Sequence, residues 1–539
     1  MISNCLLVIN KNVSLDHLLR CLYLENFTHL YFYFKPDILL KKKDIINDYF
    51  CKYQKNYPNT DFRLIPPGKI QNLCQSFKTI YTDNRDTIPK QILSSSNELI
   101  QIDCDEKNFI EKCLKLYDYP CVGGTFDRLH SGHKLLLTMS AVSTKSKIMI
   151  GLTSEELLEK KFLSQIIYSY HQREDAICDY LHSIGMLDSD FDIFPLKDMM
   201  GPSRDTPSLD SIIVSEETIK SCSIINQERE KLGYMPLSVV KVDFYFDEND
   251  KTSKIPHFEE VYAKVSSSNL RYNDLGKLLD KPSLTREKIE NNIFSIGITG
   301  CIGSGKSSLV KKAQTMFSQL NCESFHMRTY DADSFAKSAY SKGTEAYHSV
   351  VNLFKSKCFD ILTDDGSDID HKKIARIVFS QKEMLNKLTE IVWPTTKADI
   401  QRKISNDFNE LTKTHGSNVK LIALVEAAVL FEANWQSMFD EIWSCIIPKD
   451  EAIKRHTRRS NQLSKDDAKL RVSTQSENIS KATMNKNGDQ ADWWSPCQLG
   501  STFGPISMSN RVFSTQWSHD ATNLQVEKAL KDVINRNRF

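Results

Sequence analysis

Residues Ile293–Lys312 read IFSIGITGCIGSGKSSLVKK, and no other stretch constrains the fold as tightly. An apolar strand-type run, Ile293–Thr299, leads into Gly300, Gly305, Lys306 and Ser307 at the spacing G-x-x-x-x-G-K-S, and a helical run follows. Glycines at those places let the backbone wrap a phosphate with its N–H groups pointing inward. The lysine can then reach the β- and γ-phosphates, and the serine hydroxyl can hold Mg2+. The pattern predicts a strand–loop–helix unit in which Gly300, Cys301, Ile302, Gly303, Ser304, Gly305, Lys306, Ser307 and Ser308 bind ATP, with Ser307 as the metal ligand.

A chain of 539 residues exceeds what one hydrophobic core supports, so two or three domains are expected. A net charge of +1 with 26% charged residues leaves no broad basic face for nucleic acid, so ligand charge must be met by a few placed groups. The 14 cysteines include no C-x-x-C pair, which argues for reduced intracellular thiols rather than a zinc ribbon or disulfide scaffold. No run of 18 or more apolar residues exists, so no membrane-spanning segment is expected. The N-terminus lacks a basic leader and carries Asp16 and Glu25, which makes a cytosolic enzyme the default and leaves mitochondrial association open.

Residues 1–113 hold strand-like runs at Cys5–Ile9 and His29–Phe34, with polar helices between them and no catalytic motif. From 114 to 280 short apolar strands alternate with helical stretches, the mark of an α/β domain. Residues 281–292, KPSLTREKIENN, read as a linker or connecting helix, and a second α/β domain fills 293–539. Ser, Asn, Gly and Gln enrich Ser476–Pro505, which reads as a surface insertion.

Within Tyr119–Leu136, YPCVGGTFDRLHSGHKLL, a strand should end at Val122 and a helix begin near Ser131. His130 and His133 flank the small Gly132 at that helix start, where the dipole and free N–H groups favour phosphate. Such a site suits attack on the α-phosphate of ATP, because it aims donors at charge that grows in the transition state. Two surface histidines are the plain alternative. Far downstream, Lys264 precedes Ser266, Ser267 and Ser268, with Arg271 a turn later; alone, this run reads as a capped helix start.

Together the H-x-G-H turn and the K-x-S-S-S loop resemble the nucleotidyltransferases. GGTFDRLHSGHK, GLTSEELLEKK, SYHQRED and VSEETIKSCSIINQER resemble the eukaryotic phosphopantetheine adenylyltransferases more closely. The resemblance implies that Gly124, Thr125 and Phe126 line the nucleotide site and that His130 and His133 hold the ATP phosphates. Ser266, Ser267, Ser268 and Arg271 would bind phosphate, and Lys161 (or Lys160) and Arg173 would meet the substrate's charge. Val214–Thr218, including Ser215 and Glu216, with Asn226 and Arg229, would approach the adenine and ribose. Ser221 and Cys222 stand where those relatives tend to carry glycine, which would strain any turn needing positive φ.

In the last domain Asp331 and Asp333 follow an apolar run and place two carboxylates beside the phosphate loop; solvated caps are the plain reading. A buried strand in Val419–Glu432 ends in a polar turn. Arg455 and Arg459 then share a helical face before the hinge-like SNQLSKDD and Arg471, in the manner of a kinase lid. ITGCIGSGKSS, DADSFAKSAY, DGSDIDHKKIARIVF, LTEIVWP and AAVLFE resemble dephospho-coenzyme A kinases in their order. That resemblance implies Asp333 as base for a ribose 3′-hydroxyl with Asp331 in support, Arg455, Arg459 and Arg471 in the lid, and Glu432 near the acceptor. The insertion after Gln475 departs from the family.

The order of the two halves resembles the bifunctional coenzyme A synthases, over roughly residues 117–539. The fold class expected is α/β: a Rossmann-like nucleotidyltransferase domain, then a P-loop kinase domain with a helical lid, after an N-terminal α/β region of unassigned fold. Implied ligands are ATP at both sites, Mg2+, 4′-phosphopantetheine and dephospho-coenzyme A, with no nucleic acid. An aminoacyl-tRNA synthetase shares the H-x-G-H turn but would want a basic surface and no P-loop. A kinase carrying a silent adenylyltransferase-like scaffold stays open at this point.

Overall fold

The computed structural model describes residues 4–9, 29–34, 60–66, 68–73, 77, 79–82, 88, 92, 98–101, 115–216, 218–242, 266–279, 292–320, 322, 324–357, 359–459 and 464–537. The chain divides into two compact units, Met1–Tyr272 and Asn273–Phe539.

The first unit holds two five-stranded sheets. Strands β1 (Asn4–Ile9), β2 (His29–Phe34), β3 (Asp61–Ile65), β4 (Thr79–Thr82) and β5 (Glu98–Gln101) are all parallel, in the order β3-β2-β1-β4-β5. The strand-like runs of the N-terminal region are the central pair of that sheet. The helices expected between them lie outside the described residues. The second sheet comprises β6 (Pro120–Gly124), β7 (Ile148–Thr153), β8 (Phe191–Leu196), β9 (Ser211–Ser215) and β10 (Ser238–Val242), again all parallel, in the order β10-β9-β6-β7-β8. Counted in chain order, both sheets run 3-2-1-4-5, a doubly wound order in which the crevice beyond the first strand's C-terminal end takes the ligand.

Helices of this unit are α1 (Ser131–Ser143), α2 (Tyr170–Ser183), α3 (Pro202–Asp205), α4 (Ile219–Lys231) and α5 (Ser267–Asp274). Leu7, Phe32 and Phe62 of the first sheet share one core with Leu135, Leu137 and Leu181 of α1 and α2. The N-terminal region is therefore packed on the second sheet's helices rather than set apart from them. Gly185 marks the closeness of that packing: its φ is +88°, and a Cβ there would sit 2.4 Å from the Lys69 carbonyl oxygen.

In the second unit β11 (Ile293–Gly300), β12 (Phe325–Asp331), β13 (Lys420–Glu426), β14 (Glu441–Ile446) and β15 (Arg511–Ser514) form a parallel sheet in the order β12-β13-β11-β14-β15. The near-continuous burial of β11, β13 and β14 is what a sheet covered on both faces requires. Helices α6 (Lys306–Gln319), α7 (Ala332–Ala339), α8 (Glu345–Lys355), α9 (His371–Ser380), α10 (Lys382–His415), α11 (Lys449–Arg459), α12 (Lys465–Ala482) and α13 (His519–Arg536) surround it. Leu309 and Ala313 of α6 and Val526, Leu530 and Val533 of α13 pack on Ile296 and Ile298 of the central strand. A separate cluster of Val350, Phe354, Ile374, Leu388 and Val392 joins the helices between β12 and β13.

Two expectations shift. The first unit ends at Tyr272 rather than 280, because the backbone after it pairs with the last strand's end: Gly276 N–H donates to Val512 O at 2.9 Å, and Arg511 donates to Gly276 O at 3.0 Å. Residues 280–291 of the expected linker lie outside the described residues. The supposed surface insertion is also corrected. Residues 476–482 are the last turns of α12, and the following loop buries Trp493, Cys497, Leu499 and Ile506, so its apolar residues outweigh its polar composition. Among the described residues no helix is long and apolar enough to cross a membrane.

Two candidate phosphate-handling sites

Strand β6 ends at Gly124, and the turn to α1 puts Phe126 (φ 49°) and Arg128 (φ 50°) in the left-handed region, at a cost on the order of 1 kcal/mol each. Asp127 holds that turn. Fully buried, its carboxylate accepts from Arg271 Nη1 at 2.6 Å, Arg128 Nη1 at 2.9 Å and the Tyr168 amide at 3.1 Å. Removing one partner of so buried a pair would strand the other charge. Ser267 Oγ donates to the Asp127 carbonyl at 2.8 Å, so the serine run and the histidine turn are stapled together. Sequence reasoning missed Asp127. The signal was there, in a carboxylate three residues before the first histidine.

Helix α1 begins at Ser131, as the sequence predicted. The His130 and His133 rings stack with centroids 3.9 Å apart, and a Cβ on Gly132 would come within 3.1 Å of the His130 ring. Burial, then the charges of His130, Lys161 and Arg271, hold His133 well below the usual histidine range. At neutral pH it is an uncharged imidazole with one N–H to donate.

A cavity of about 780 Å3 opens above these rings. Gly124, Thr125, Lys161, Ser215, the three serines Ser266–Ser268 and Arg271 all reach it; Lys160 does not. Lys264 and Val265 lie outside the described residues. Phe126 does not line the cavity: fully buried, it packs its ring 5.3 Å from that of His133. Glu216 turns away to Lys241 at 3.3 Å. Two arginines are corrected more sharply. Arg173 is 1% exposed and donates to the carbonyls of Thr125, Thr153 and Tyr168 at 2.9–3.0 Å, tying the ends of β6 and β7. Arg229 is fully buried and donates to the carbonyls of Ser203, Thr206, Leu209 and Met235. Neither lines the cavity: Arg229 has given its guanidinium donors to backbone, and Arg173 has done so through Nε and Nη1 while its Nη2 is buried without a partner. Asn226 likewise exchanges hydrogen bonds with the Leu237 backbone. Ser221 and Cys222 lie in α4 without positive φ, so no glycine is needed there.

In the second unit the phosphate loop joins β11 to α6. Gly303 (φ 75°) and Gly305 (φ 85°) are left-handed, and a Cβ on Gly300 would sit 2.3 Å from Cys445 O, so the loop admits no side chain at these points. Lys306 Nζ curls onto the Gly300 and Cys301 carbonyls at 3.1 and 3.2 Å. Thr299 Oγ1 and Ser304 Oγ are buried without a hydrogen-bond partner. Ser308 is exposed.

Ser307 Oγ donates to Glu426 Oε1 at 2.7 Å. Glu426 ends β13, which pairs directly with β11, and sequence reasoning passed over it in favour of Glu432. A carboxylate closing an apolar strand, LIALVE, was the signal. Asp331 caps α7, accepting from the Asp333 amide at 3.0 Å and Ser334 Oγ at 2.7 Å. Burial pushes the Asp333 carboxyl up, the Asp331 charge adds to this, and Lys306 opposes it. Glu432 Oε2 is buried without a partner, and burial pushes that carboxyl up to about 7. Lys306 thus acts electrostatically on both carboxyls.

Arg455 lies against the loop's outer side, donating to Thr515 O and Oγ1 at 2.8 Å each while Thr515 Oγ1 donates to Ser304 O at 2.6 Å. Arg459 ends α11, with its side chain and residues 460–463 outside the described residues. Arg471 is half-buried on α12, which starts with a reciprocal cap between Ser464 and Asp467. Gln475 of the same helix accepts from the Ile302 amide at 2.7 Å, a contact the sequence did not single out.

Fold and site together define two nucleotide-handling modules in one chain, one of nucleotidyltransferase type and one of P-loop kinase type. Comparison with known proteins agrees. A family model described as dephospho-CoA kinase matches residues 294–489, and one described as cytidylyltransferase-like matches residues 121–273. A dephospho-CoA kinase of Carboxydothermus hydrogenoformans is 36% identical over 180 residues, 33% of this chain and 77% of that protein. A phosphopantetheine adenylyltransferase of Pyrococcus furiosus is 38% identical over 128 residues, 24% of this chain and 78% of that protein. One of Saccharomyces cerevisiae is 35% identical over 121 residues, 22% of this chain and 38% of that protein. The chain belongs to the phosphopantetheine adenylyltransferase family through its middle and to the dephospho-CoA kinase family through its C-terminal half. It spans 49% and 38% of the length of the two fungal relatives it matches.

Proposed function

We propose that this chain is a bifunctional coenzyme A synthase. In the first reaction a 4′-phosphopantetheine oxygen attacks the α-phosphate of ATP, forming dephospho-coenzyme A as pyrophosphate leaves. His130 and the neutral His133 hold the phosphates, Lys161 and the N-terminus of α5 at Ser266–Ser268 meet the charge that grows, and Arg271, fixed by Asp127, keeps that edge in place. No covalent intermediate is needed.

In the second reaction Asp333 takes the proton of the ribose 3′-hydroxyl, and that oxygen attacks the γ-phosphate of a second ATP. The loop N–H groups and Lys306 hold the transferring charge. Ser307 and Glu426 offer a hydroxyl and a carboxylate oxygen to one point, a donor set that fits Mg2+. The ion, when bound, neutralises charge on the β- and γ-phosphates. Arg459 and Arg471 belong to the lid, and Glu432 borders the acceptor.

The observation that carries this reading is that one chain holds both the cavity lined by His130, His133, Lys161 and Ser266–Ser268 and the Gly300–Ser307 loop. The test is a single incubation of the full chain with Mg-ATP and 4′-phosphopantetheine, followed by mass. Dephospho-coenzyme A and then coenzyme A are expected. If only added dephospho-coenzyme A reacts, the middle module is a silent scaffold and the proposal fails.

A further inference from the structure

The loop 483–510 between α12 and β15 is used in neither reaction, and the kinase family match stops within it, at residue 489. Its contacts converge on the kinase site. Asp492 closes the turn over residues 492–495, accepting from the Trp494 and Ser495 amides at 2.9 and 2.8 Å, and Gln498 donates to the Asp492 carbonyl at 2.6 Å. Its second carboxylate oxygen accepts from Ser476 Oγ, one residue after Gln475. Gln475 in turn accepts the Ile302 N–H of the phosphate loop. Two tryptophans anchor the other side. Trp494 Nε1 donates to Ile447 O at 3.1 Å, beyond the end of β14, with the Lys449 ammonium 5.3 Å from its ring. Trp493, 1% exposed, packs 6.0 Å from the ring of Phe431, the residue before Glu432.

We propose that this loop is a positioning element of the kinase site: Asp492, through Ser476, holds Gln475 on the phosphate loop. Gln475, which touches the phosphate-loop backbone, and Asp492, which acts on it through Ser476, are then positioning residues. A helix free to rotate by one side chain would release the Ile302 N–H and leave the loop to be ordered by ATP itself. The ATP affinity of the kinase step, not the adenylyl transfer, is what should change.

The inference rests on the kinase reading. The test uses the full-length chain with Mg-ATP and dephospho-coenzyme A, with adenylyl transfer by the same preparations as internal control. Gln475→Leu, which removes the acceptor, should raise the ATP KM of the kinase step about tenfold and change kcat less than threefold. Asp492→Ala should do the same, and the double variant should be no worse than the poorer single one. Asp492→Asn keeps an acceptor for the turn amides and offers its own amide to Ser476 Oγ, and should recover the KM to within twofold. An unchanged ATP KM in Asp492→Ala, or effects that multiply in the double variant, would overturn the proposal. Should Asp492→Ala not fold, Ser476→Ala cuts only the one bond and decides by the same KM. Wild-type chain that fails to phosphorylate dephospho-coenzyme A would instead sink the kinase reading itself.

Discussion

Both phosphate sites sit where the first strand of a doubly wound sheet hands over to a helix, yet they prepare that place in opposite ways. The H-x-G-H turn is fastened before any ligand arrives: Asp127 pairs with Arg128 and Arg271, Arg173 ties β6 to β7, and Ser267 closes on the turn. The G-x-x-x-x-G-K-S loop keeps groups in reserve. Thr299 Oγ1, Ser304 Oγ and Glu432 Oε2 are buried without partners, and Lys306 rests on its own loop carbonyls. The contrast lies in how the turn is tied and not in charge: Asp127 faces two arginines, and His133 Nδ1 and Arg173 Nη2 are themselves buried without partners. Attack at an α-phosphate needs a fixed line between two bound molecules, whereas transfer to a second acceptor suits a site that tightens on binding.

The comparison can be broken at several points. The largest effect is expected at Lys306: Lys306→Ala should lower the kinase kcat by about 10³ and leave pyrophosphate release unchanged. Next comes Asp127→Ala, which strands two arginines in the first site. Chemical denaturation should show a loss of about 3–4 kcal/mol with adenylyl transfer abolished. If that site tolerated the change, its fastened character would be refuted. His133→Ala should cost adenylyl transfer about 10² while the kinase rate holds. Loss of both activities in a folded His133→Ala or Lys306→Ala chain would contradict two independent sites.

A smaller effect sharpens the contrast from the second site. The folded state raises the Glu432 carboxyl to about 7 from an ordinary 4.5, so it favours the protonated form. Its contribution is full below pH 4.5 and is lost as pH rises through about 7. Glu432→Gln should therefore exceed the wild type by about 3 kcal/mol at pH 8, with the gap closing below about pH 4.5. Thermal melts across that range would show it, and a gap independent of pH would mean the carboxyl is not held in reserve. The smallest effect is Ser221→Gly. Helical backbone there makes glycine a loss of about 0.5–1 kcal/mol with adenylyl transfer within threefold of wild type.

Spacing along the chain was enough for whatever depends on local backbone geometry. Gly300, Gly305, Lys306 and Ser307 announced a loop between strand and helix, and His130–His133 announced a helix starting at Ser131, because glycine freedom and helix-terminus chemistry act within a few residues. The first strands of the N-terminal region were legible for the same reason. Burial was not. Arg173 and Arg229 look like anion binders in one dimension, and only the tertiary fold shows them buried and donating to backbone carbonyls. Glu426 became a partner of Ser307 only when β13 paired beside β11, and Asp127 found Arg271 across 144 residues. The low-complexity loop hid its buried Trp493 and half-buried Trp494 behind polar composition. A carboxylate or guanidinium has the same chemistry wherever it lies in the sequence. Which neighbour desolvates it or neutralises it is decided by strand order and packing, and those are long-range.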